Sequence, residues 1–450
     1  MTYETALKLK HNDPTKVADL IMHKIKSRMV VMQDLNICCP ECKNVLINNG
    51  NKLICGSCGK ECIVDGKIYD FLGDSNYYWS EIPLEEMRII LDIATKRGWE
   101  NAIQNICLNH PKLKGYLTSN ARTDWLFHCI DYSHNSACLD IGSGFGGNTF
   151  ALAKYYDEVW SLEAVKQRIT FQKIRQEQEN IDNIKFVRTD WLHLPFPDNY
   201  FDIVASNGCL EWVGLSDYSK DPRSLQIAFL KEIKRVLKPN GCLYVGVENR
   251  FALNAFMGSR DHSGLPFTSV LPRKLADFMV RFSQKSGEYG QHNVMSKWKD
   301  YRTYTYSMAG YEKLLREANY SDTNYYWCFS YNLPTVSGRF YDESFPYYLK
   351  MSKNTSASTF NSLIRDIGSY FPKTLLKFIN QRLCDSFLIY AYKENKPNTF
   401  ESNLLNKSDP NFGFLQISDT KNEDAKINYY ILNGIRLQSV IKFPRNRKSA

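Results

Sequence analysis

A glycine-rich loop between a buried strand and a helix is the feature that most constrains the fold of this chain. The apolar run Ala137–Ile141 predicts a strand, and the sequence GSGFGG follows at residues 142–147. Glycines let the backbone turn sharply and let a ligand approach it closely. A helix predicted from residue 148 points its N-terminus at the same ligand. The sequence therefore predicts a binding site at this turn.

Strands and helices alternate from this loop onward. Further strands are predicted at 158–162, 184–188, 202–206 and 242–248, and helices at 148–156, 164–179 and 224–237. Such alternation is typical of an α/β fold with a doubly wound parallel sheet. Beyond it, the sequence predicts a helix at 309–319 and strands at 325–331 and 386–392.

Acidic residues close two of the predicted strands. Glu163 ends the second strand, 21 residues after Gly142, where a carboxylate can accept both hydroxyls of a ribose. Asp190 ends the third strand. These features alone fit a dinucleotide-binding dehydrogenase equally well.

Two later motifs change that balance: LPFPDNYFD at 194–202 and RVLKPNG at 235–241, each leading into a strand. With the loop and the two acids, this ordered set resembles the class I S-adenosylmethionine-dependent methyltransferases, a group that includes ubiquinone and menaquinone methyltransferases. The resemblance covers residues 137–248. It implies a seven-stranded sheet whose last strand is antiparallel, and S-adenosylmethionine as cofactor.

The resemblance also implies the contacts to the methionine part of the cofactor. Asp140, Gly142 and Gly144 would contact this part directly. Asn207, which follows the fourth strand, would lie near the methyl group and the cofactor carboxylate.

The nucleoside contacts are implied in the same way. Glu163 would bind the ribose hydroxyls, and Asp190 would accept from the adenine amino group. Trp191 would lie beside the adenine ring.

Three residues are candidates for the chemistry itself. Glu211 stands where many relatives have histidine, and it is a general base, a hydrogen-bond acceptor for substrate or a carboxylate at a helix start. His262 lies in a loop flanked by glycine and is a base, a substrate contact or an ordinary surface histidine. Asn207 is the third candidate. Glu248, with Asn249 and Arg250 at the end of the fifth strand, marks either a second candidate active edge or a helix cap.

Two CxxC pairs precede the α/β region. Cys39 and Cys42 form the first pair, and Cys55 and Cys58 form the second twelve residues later. Four thiolates from two tight turns match a closed, structural Zn²⁺ site. The region resembles the zinc ribbons that accompany methyltransferases, while Cys38 and Cys62 are spare thiols or replacement ligands.

These features divide the chain into five regions. We predict a helical segment at 1–34, the zinc ribbon at 35–74, a helical cap at 75–136, the methyltransferase domain at 137–395 and a polar tail at 396–450. The domain carries insertions at 250–306 and 335–383, which we interpret as acceptor lids. We expect the helical cap to contribute packing and no site residues.

Composition narrows the partners. The net charge is +9, and residues 440–450 carry four basic residues and no acid. The rest of the chain shows no concentrated basic patch of the kind typical of nucleic-acid binding. No run of about 18 apolar residues and no signal peptide is apparent. We therefore expect a cytoplasmic protein with no membrane partner.

The leading hypothesis is methyl transfer to O or N of a small-molecule or glycan-linked acceptor. An RNA methyltransferase that docks through the ribbon, a methyltransferase acting on proteins and a non-catalytic cofactor-binding scaffold are the alternatives. The sequence does not determine the oligomeric state.

Overall fold

One continuous sheet of fifteen strands runs through the computed structural model. The structure describes residues 36–75, 77–118, 120–128, 136–283, 292–293, 300–341, 345, 370–394, 414–419, 425–432 and 435–442. The predicted helical segment at 1–34 lies outside these ranges. Within them, every helix is too short or too polar to cross a membrane.

The N-terminal part of the sheet consists of two hairpins. Strands β1 (Leu46–Asn49) and β2 (Lys52–Cys55) pair antiparallel, as do β3 (Glu61–Asp65) and β4 (Ile68–Asp70). Gly66, at φ +59°, makes the turn between β3 and β4. Asp-Gly between two apolar runs is a usual sequence for such a hairpin turn.

A helical layer follows, beginning after the short strand β5 (Trp79–Ser80). Its helices are α1 (Leu84–Arg97), α2 (Trp99–Asn109) and α3 (Lys114–Thr118), with 3-10 turns at Pro111–Leu113 and Asn120–His128. Pro83 caps α1, whose buried residues recur at helical spacing against the rest of the molecule.

Five parallel strands form the centre of the sheet. They are β6 (Ala137–Ile141), β7 (Glu158–Leu162), β8 (Ile184–Arg188), β9 (Phe201–Asn207) and β10 (Leu237–Glu248), in the spatial order β8-β7-β6-β9-β10. Every residue of β6 is buried, as expected for a strand covered on both faces. The five predicted strands are confirmed.

Three helices connect these strands: α4 (Gly147–Leu152), α5 (Lys166–Glu179) and α6 (Pro222–Val236). The carboxylate of Asp221 accepts from the backbone N–H of Ser224 and caps α6. Helix α4 ends at Leu152, four residues before the predicted end of that helix.

The first predicted lid insertion contains α7 (Leu253–Phe256) and α8 (Arg273–Phe282). The two-residue strand β11 (His292–Asn293) pairs with β5 outside the main sheet. Helix α9 (Met308–Glu317) then leads back to the sheet.

Two antiparallel pairings complete the seven-stranded core. Strand β14 (Ser386–Tyr392) lies between β10 and β12 (Asp322–Cys328) and is antiparallel to both. Strand β13 (Val336–Arg339), at the start of the second predicted lid, pairs with β12, and α10 (Lys373–Leu383) precedes β14. The predicted doubly wound seven-stranded sheet with an antiparallel final strand is confirmed.

The C-terminal region differs from the prediction of a polar tail. Strands β15 (Phe414–Asp419), β16 (Ala425–Leu432) and β17 (Ile435–Lys442) extend the sheet from β13 as an antiparallel meander. The prediction rested on the polar composition of 396–450 as a whole. It overlooked the alternation of apolar and polar residues in IRLQSVIK at 435–442.

A buried ion pair joins the N-terminal hairpins to the central sheet. Strand β4 pairs parallel with β8, and the Arg188 guanidinium lies 3.1 Å from the Asp70 carboxylate. Arg188 is 1% exposed. On the other side of the junction, Lys43 donates to Glu232 of α6 at 2.8 Å.

We predict that Asp70→Ala lowers the free energy of unfolding by about 3–5 kcal/mol, because it leaves the buried Arg188 charge uncompensated. Chemical denaturation measures this change. Glu61→Ala breaks an exposed ion pair with Lys52 and is the matched control, with an expected loss of about 1 kcal/mol or less. Equal losses in the two variants would contradict the structural role of the Asp70–Arg188 pair.

Candidate functional site

A cavity of about 780 Å³ opens at the carboxyl ends of the central strands. This is the edge where open α/β sheets bind their ligands. Most of the predicted site residues line it: Gly142, Gly144, Glu163, Asp190, Trp191, Asn207 and His262. Leu113 and Leu117 of the helical layer line it too, so the predicted cap does more than pack.

The glycine-rich loop needs glycine for two separate reasons. Gly142 has φ +66°, and a Cβ there would lie 2.3 Å from the sulfur of Cys209. Gly144 has φ +59°, with open space on its Cβ side. The backbone can therefore form the cavity floor without a side chain between it and a ligand.

Glu163 is held by the loop that it faces. Its carboxylate accepts from the backbone N–H groups of Gly144 and Val165, both at 2.9 Å. Arg168 lies 3.7 Å away on α5. These contacts fix the carboxylate at the cavity wall, where its remaining lone pairs can accept hydroxyl groups.

Asp190, another residue of the cavity lining, closes a tight turn. One of its oxygens accepts from the backbone N–H groups of Leu192 and His193, at 2.8 and 3.0 Å. Trp191 packs against the core and contacts Phe229 edge to face. The predicted adenine contacts therefore lie together on one wall.

Asp140 does not reach the cavity lining. It is 1% exposed and accepts from the Thr149 hydroxyl at 2.6 Å, behind the glycine-rich loop. Burial raises the pKa of its carboxyl group to about 6, against the opposing effect of the Thr149 hydrogen bond. We therefore revise its predicted role from direct ligand contact to support of the loop and α4.

The raised pKa makes Asp140 a source of pH-dependent instability. The folded state binds this proton more tightly than the unfolded state, so stability falls as pH rises from about 4 through about 6. We predict that Asp140→Asn raises the free energy of unfolding by up to about 3 kcal/mol at pH 7.5, with the gain shrinking as pH falls towards 4. Denaturation at several pH values measures it, and a pH-independent difference would contradict the burial of a charge here.

Arg122 is a site residue that the sequence analysis missed. It comes from the 3-10 turn Asn120–His128 and lines the cavity. The Asn207 amide matches the hydrogen-bond donors and acceptors around it in one orientation. In that orientation its oxygen accepts from the Arg122 guanidinium at 3.2 Å, and its nitrogen donates to the Tyr331 carbonyl. Arg122 belongs to no sequence motif, so the sequence did not indicate its place in the site. Its positive charge suits a ligand that carries a carboxylate.

The structure brings the two proposed base candidates together with Glu248. The Nε2 atom of His262 lies 3.6 Å from a Glu211 oxygen and 3.3 Å from a Glu248 oxygen. Glu211 is fully buried behind the cavity lining, whereas Glu248 and His262 face the cavity. We call these three residues the carboxylate–histidine cluster.

The three residues of the cluster alter one another's pKa. Burial alone would lower the pKa of His262, but Glu248 and Glu211 raise it well above its ordinary value. Burial raises the pKa of Glu211, whereas His262 holds the pKa of Glu248 below its usual range despite burial. At neutral pH the histidine is therefore an imidazolium, and Glu248 is the ionised carboxylate of the cluster that faces the cavity.

Aromatic rings enclose this cluster. The Trp212 ring lies 4.3 Å from the His262 ring, centroid to centroid, and Trp79 contacts Trp212 edge to face at 4.5 Å. A tryptophan face next to an imidazolium stabilises the charge and keeps water away. This end of the cavity is thus apolar around one set of proton-exchanging groups.

The four predicted zinc ligands converge at the tip of the ribbon. The sulfurs of Cys39, Cys42, Cys55 and Cys58 all lie within 4.8 Å of one another, with separations of 3.4–3.6 Å for three of the pairs. Tetrahedral zinc with bonds of about 2.3 Å needs sulfurs about 3.8 Å apart, so the set fits the ion. Cys38 and Cys62 lie outside this group.

We predict that purified protein contains about one zinc ion per chain and that Cys55→Ser loses it, because three thiolates leave the coordination incomplete. Metal analysis by mass spectrometry measures the content. Cys62→Ser is the matched control and should retain zinc. Full zinc in Cys55→Ser, or loss in Cys62→Ser alone, would refute the ligand assignment.

Sequence comparison places a known domain over this site. A family model described as a methyltransferase domain matches residues 139–245. The demethylmenaquinone methyltransferase of Staphylococcus carnosus is 29% identical over 152 residues, which is 33% of this chain and 59% of that protein. A sterol 24-C-methyltransferase of Gibberella zeae is 32% identical over 119 residues, 26% of this chain and 29% of that protein. The chain thus spans less than two thirds of the length of these curated relatives.

Solved structures with a similar fold include methyltransferases. Phosphoethanolamine N-methyltransferase 2 of Haemonchus contortus is 14% identical with a TM-score of 0.37, covering 69% of this chain and 60% of that chain. The complex containing the Trm112 methyltransferase activator of Haloferax volcanii is 12% identical with a TM-score of 0.36, covering 68% and 98%. The family match and the strand order together establish that the chain carries a domain of the class I S-adenosylmethionine-dependent methyltransferase family.

Proposed function

We propose that this protein transfers the methyl group of S-adenosylmethionine to an oxygen or nitrogen atom of a small-molecule acceptor. The observation that carries the proposal is a single cavity whose lining includes the glycine-rich loop, Glu163 and Asp190 together with Glu248 and His262 of the carboxylate–histidine cluster. The residues proposed to bind the nucleoside (the first wall) and those proposed to accept the proton (the second wall) thus line the same cavity.

The first wall suits S-adenosylmethionine. Glu163 is oriented for the ribose hydroxyls, Asp190 and Trp191 for the adenine, and Arg122 with Asn207 for the methionine carboxylate. The cofactor supplies a methyl group already activated by its sulfonium. What remains for the protein is to place the acceptor in line and to exclude water.

The second wall suits the acceptor. A hydroxyl or an ammonium group must lose a proton when its heteroatom forms the new bond to carbon. Glu248 is the ionised group within reach of the cavity, and the neighbouring His262 and Glu211 hold the rest of the shared charge. In this proposal Glu248 accepts the proton of the acceptor, and the sulfonium of the bound cofactor would take up the electrons of the carbon–sulfur bond as the methyl group leaves.

The ribbon takes a structural role in this proposal. A site with four thiolates has no open position for substrate, so zinc there stabilises the fold and takes no part in methyl transfer. Leu72 and Ser75, which follow β4, line the cavity. Zinc binding thereby supports the wall that receives the cofactor.

Calorimetric titration with S-adenosylmethionine tests the first wall. We predict micromolar binding to the unmodified protein and a loss of affinity of about 10- to 100-fold in Glu163→Ala, because hydrogen bonds to a charged acceptor disappear. Glu179→Ala, at the end of the same helix that follows Glu163, is the matched control and should bind normally. Equal affinity in all three proteins would contradict the proposed site.

Transfer of a radioactive methyl group to fractionated cell extract tests the second wall. We expect label in the small-molecule fraction and a large loss of transfer in Glu248→Gln with cofactor affinity retained. Label confined to the RNA or protein fraction would contradict the proposed acceptor class. Cofactor binding without transfer to any fraction would favour a scaffold.

A further inference from the structure

Helix α8 of the lid insertion turns a stripe of large apolar side chains outward. Leu275, Phe278 and Phe282 recur at helical spacing and are 52%, 59% and 73% exposed. The rings of Phe278 and Phe282 contact each other in a tilted arrangement, with centroids 4.5 Å apart. Scattered exposed apolar residues are ordinary, but a stripe of three on one helix is not.

The opposite face of α8 rests directly on the site. Ala276 and Val280 are fully buried and pack in one cluster with Trp212, the residue that lies on His262. The helix therefore belongs to the same hydrophobic cluster as the tryptophan that contacts His262. Whatever contacts the outer stripe is held close to the acceptor end of the cavity.

Helix α10 repeats the same pattern. Leu375 and Phe378 are exposed, while Leu376 and Asn380, one turn apart on the other face, are buried. Both helices begin directly after a proline, Pro272 for α8 and Pro372 for α10. Two helices from separate insertions thus carry exposed apolar residues at matching positions.

Two consecutive residues hold both helices at the end of β10. The Asn249 side chain donates to the carbonyl of Arg382 at 2.8 Å, in the last turn of α10. The Arg250 guanidinium donates to the carbonyl of Ser269 at 2.6 Å, just before α8. The two helices therefore flank one corner of the molecule, next to Glu248.

The charges on these helices are predominantly positive. Helix α8 contributes Arg273, Lys274 and Arg281 against one acid, Asp277, and α10 contributes Lys373, Lys377 and Arg382 without any acidic residue. Arg382 lies over the ring of Phe378 at 3.6 Å. Helices with exposed aromatic and leucine side chains among basic residues are typical of proteins that lie in the interface of an anionic membrane.

We propose that the exposed apolar residues of the two helices, Leu275, Phe278, Phe282, Leu375 and Phe378, together called the lid face, dock on the surface of an anionic lipid bilayer. The apolar side chains would enter the boundary between headgroups and acyl chains, and the basic residues would contact anionic headgroups. A second copy of this chain is a poorer partner, because it would bring two positively charged faces together. In combination with the proposed function, docking makes the acceptor an amphiphile presented at the bilayer.

Flotation of the full-length, zinc-loaded protein with vesicles tests the proposal. We compare vesicles of phosphatidylcholine alone with vesicles that contain phosphatidylglycerol. The expected result is binding to the anionic vesicles, weakened about tenfold or more in Phe278→Ser/Phe282→Ser, because two aromatic side chains no longer enter the interface. Ile89→Ser/Leu108→Ser removes two equally exposed apolar residues from the helical cap and should bind as the unmodified protein does.

A second pair of variants tests whether binding to anionic vesicles depends on the lid face or only on the overall positive charge of the protein. Lys274→Glu/Lys377→Glu should also weaken binding, whereas Lys52→Glu/Lys96→Glu, with the same charge change on the ribbon and the cap, should weaken it less. Equal losses in both pairs, no binding to anionic vesicles, or a lid-face variant that changes only the oligomeric state in sedimentation would overturn the proposal. Cofactor titration of the same proteins reports separately on the proposed function, since no lid-face residue lines the cavity.

Discussion

The architecture depends on one buried guanidinium. Arg188, at the end of β8, pairs with Asp70 and donates to the carbonyls of Gly73 and Ser75 at 2.6 and 2.8 Å. It also donates to the carbonyl of Ala164, next to the cavity residue Glu163, at 3.0 Å. A charge that is 1% exposed is tolerated only because all of these acceptors are in place.

This interaction makes the ribbon part of the site. Parallel pairing of β4 with β8 covers the edge of the central sheet, and the chain that leaves β4 becomes a cavity wall. An uncovered edge strand would be a template for unwanted pairing. The β3–β4 hairpin at this edge thus protects the sheet and shapes the pocket.

Much of this arrangement follows from the sequence because its signals are local. The strand spacing, the glycine-rich loop, Glu163, Asp190 and the four cysteines each depend on nearby residues. The carboxylate–histidine cluster does not: Glu211 and His262 are 51 positions apart, and only the fold of the lid insertion brings them within 3.6 Å. The sequence allowed each residue to be proposed as a base. It could not show that the two lie together or that they shift each other's pKa.

The remaining differences have equally physical causes. Arg122 belongs to no motif, and its value lies in the position of a turn packed over the cavity. Asp140 sits at a strand end, like a ligand-binding acid, yet the hydroxyl of Thr149 draws it behind the loop. The lid face combines two helices about 100 residues apart in sequence, so a search for long apolar runs had no means of finding it.

The central claim is that one cavity joins a cofactor wall to a proton-exchanging wall. The most direct test is a crystal structure of the protein with S-adenosylhomocysteine, the demethylated product. The account predicts ribose hydroxyls on Glu163, adenine between Asp190 and Trp191, and the sulfur directed towards the carboxylate–histidine cluster. A product bound with its sulfur turned away from that cluster, or bound outside this cavity, would contradict it.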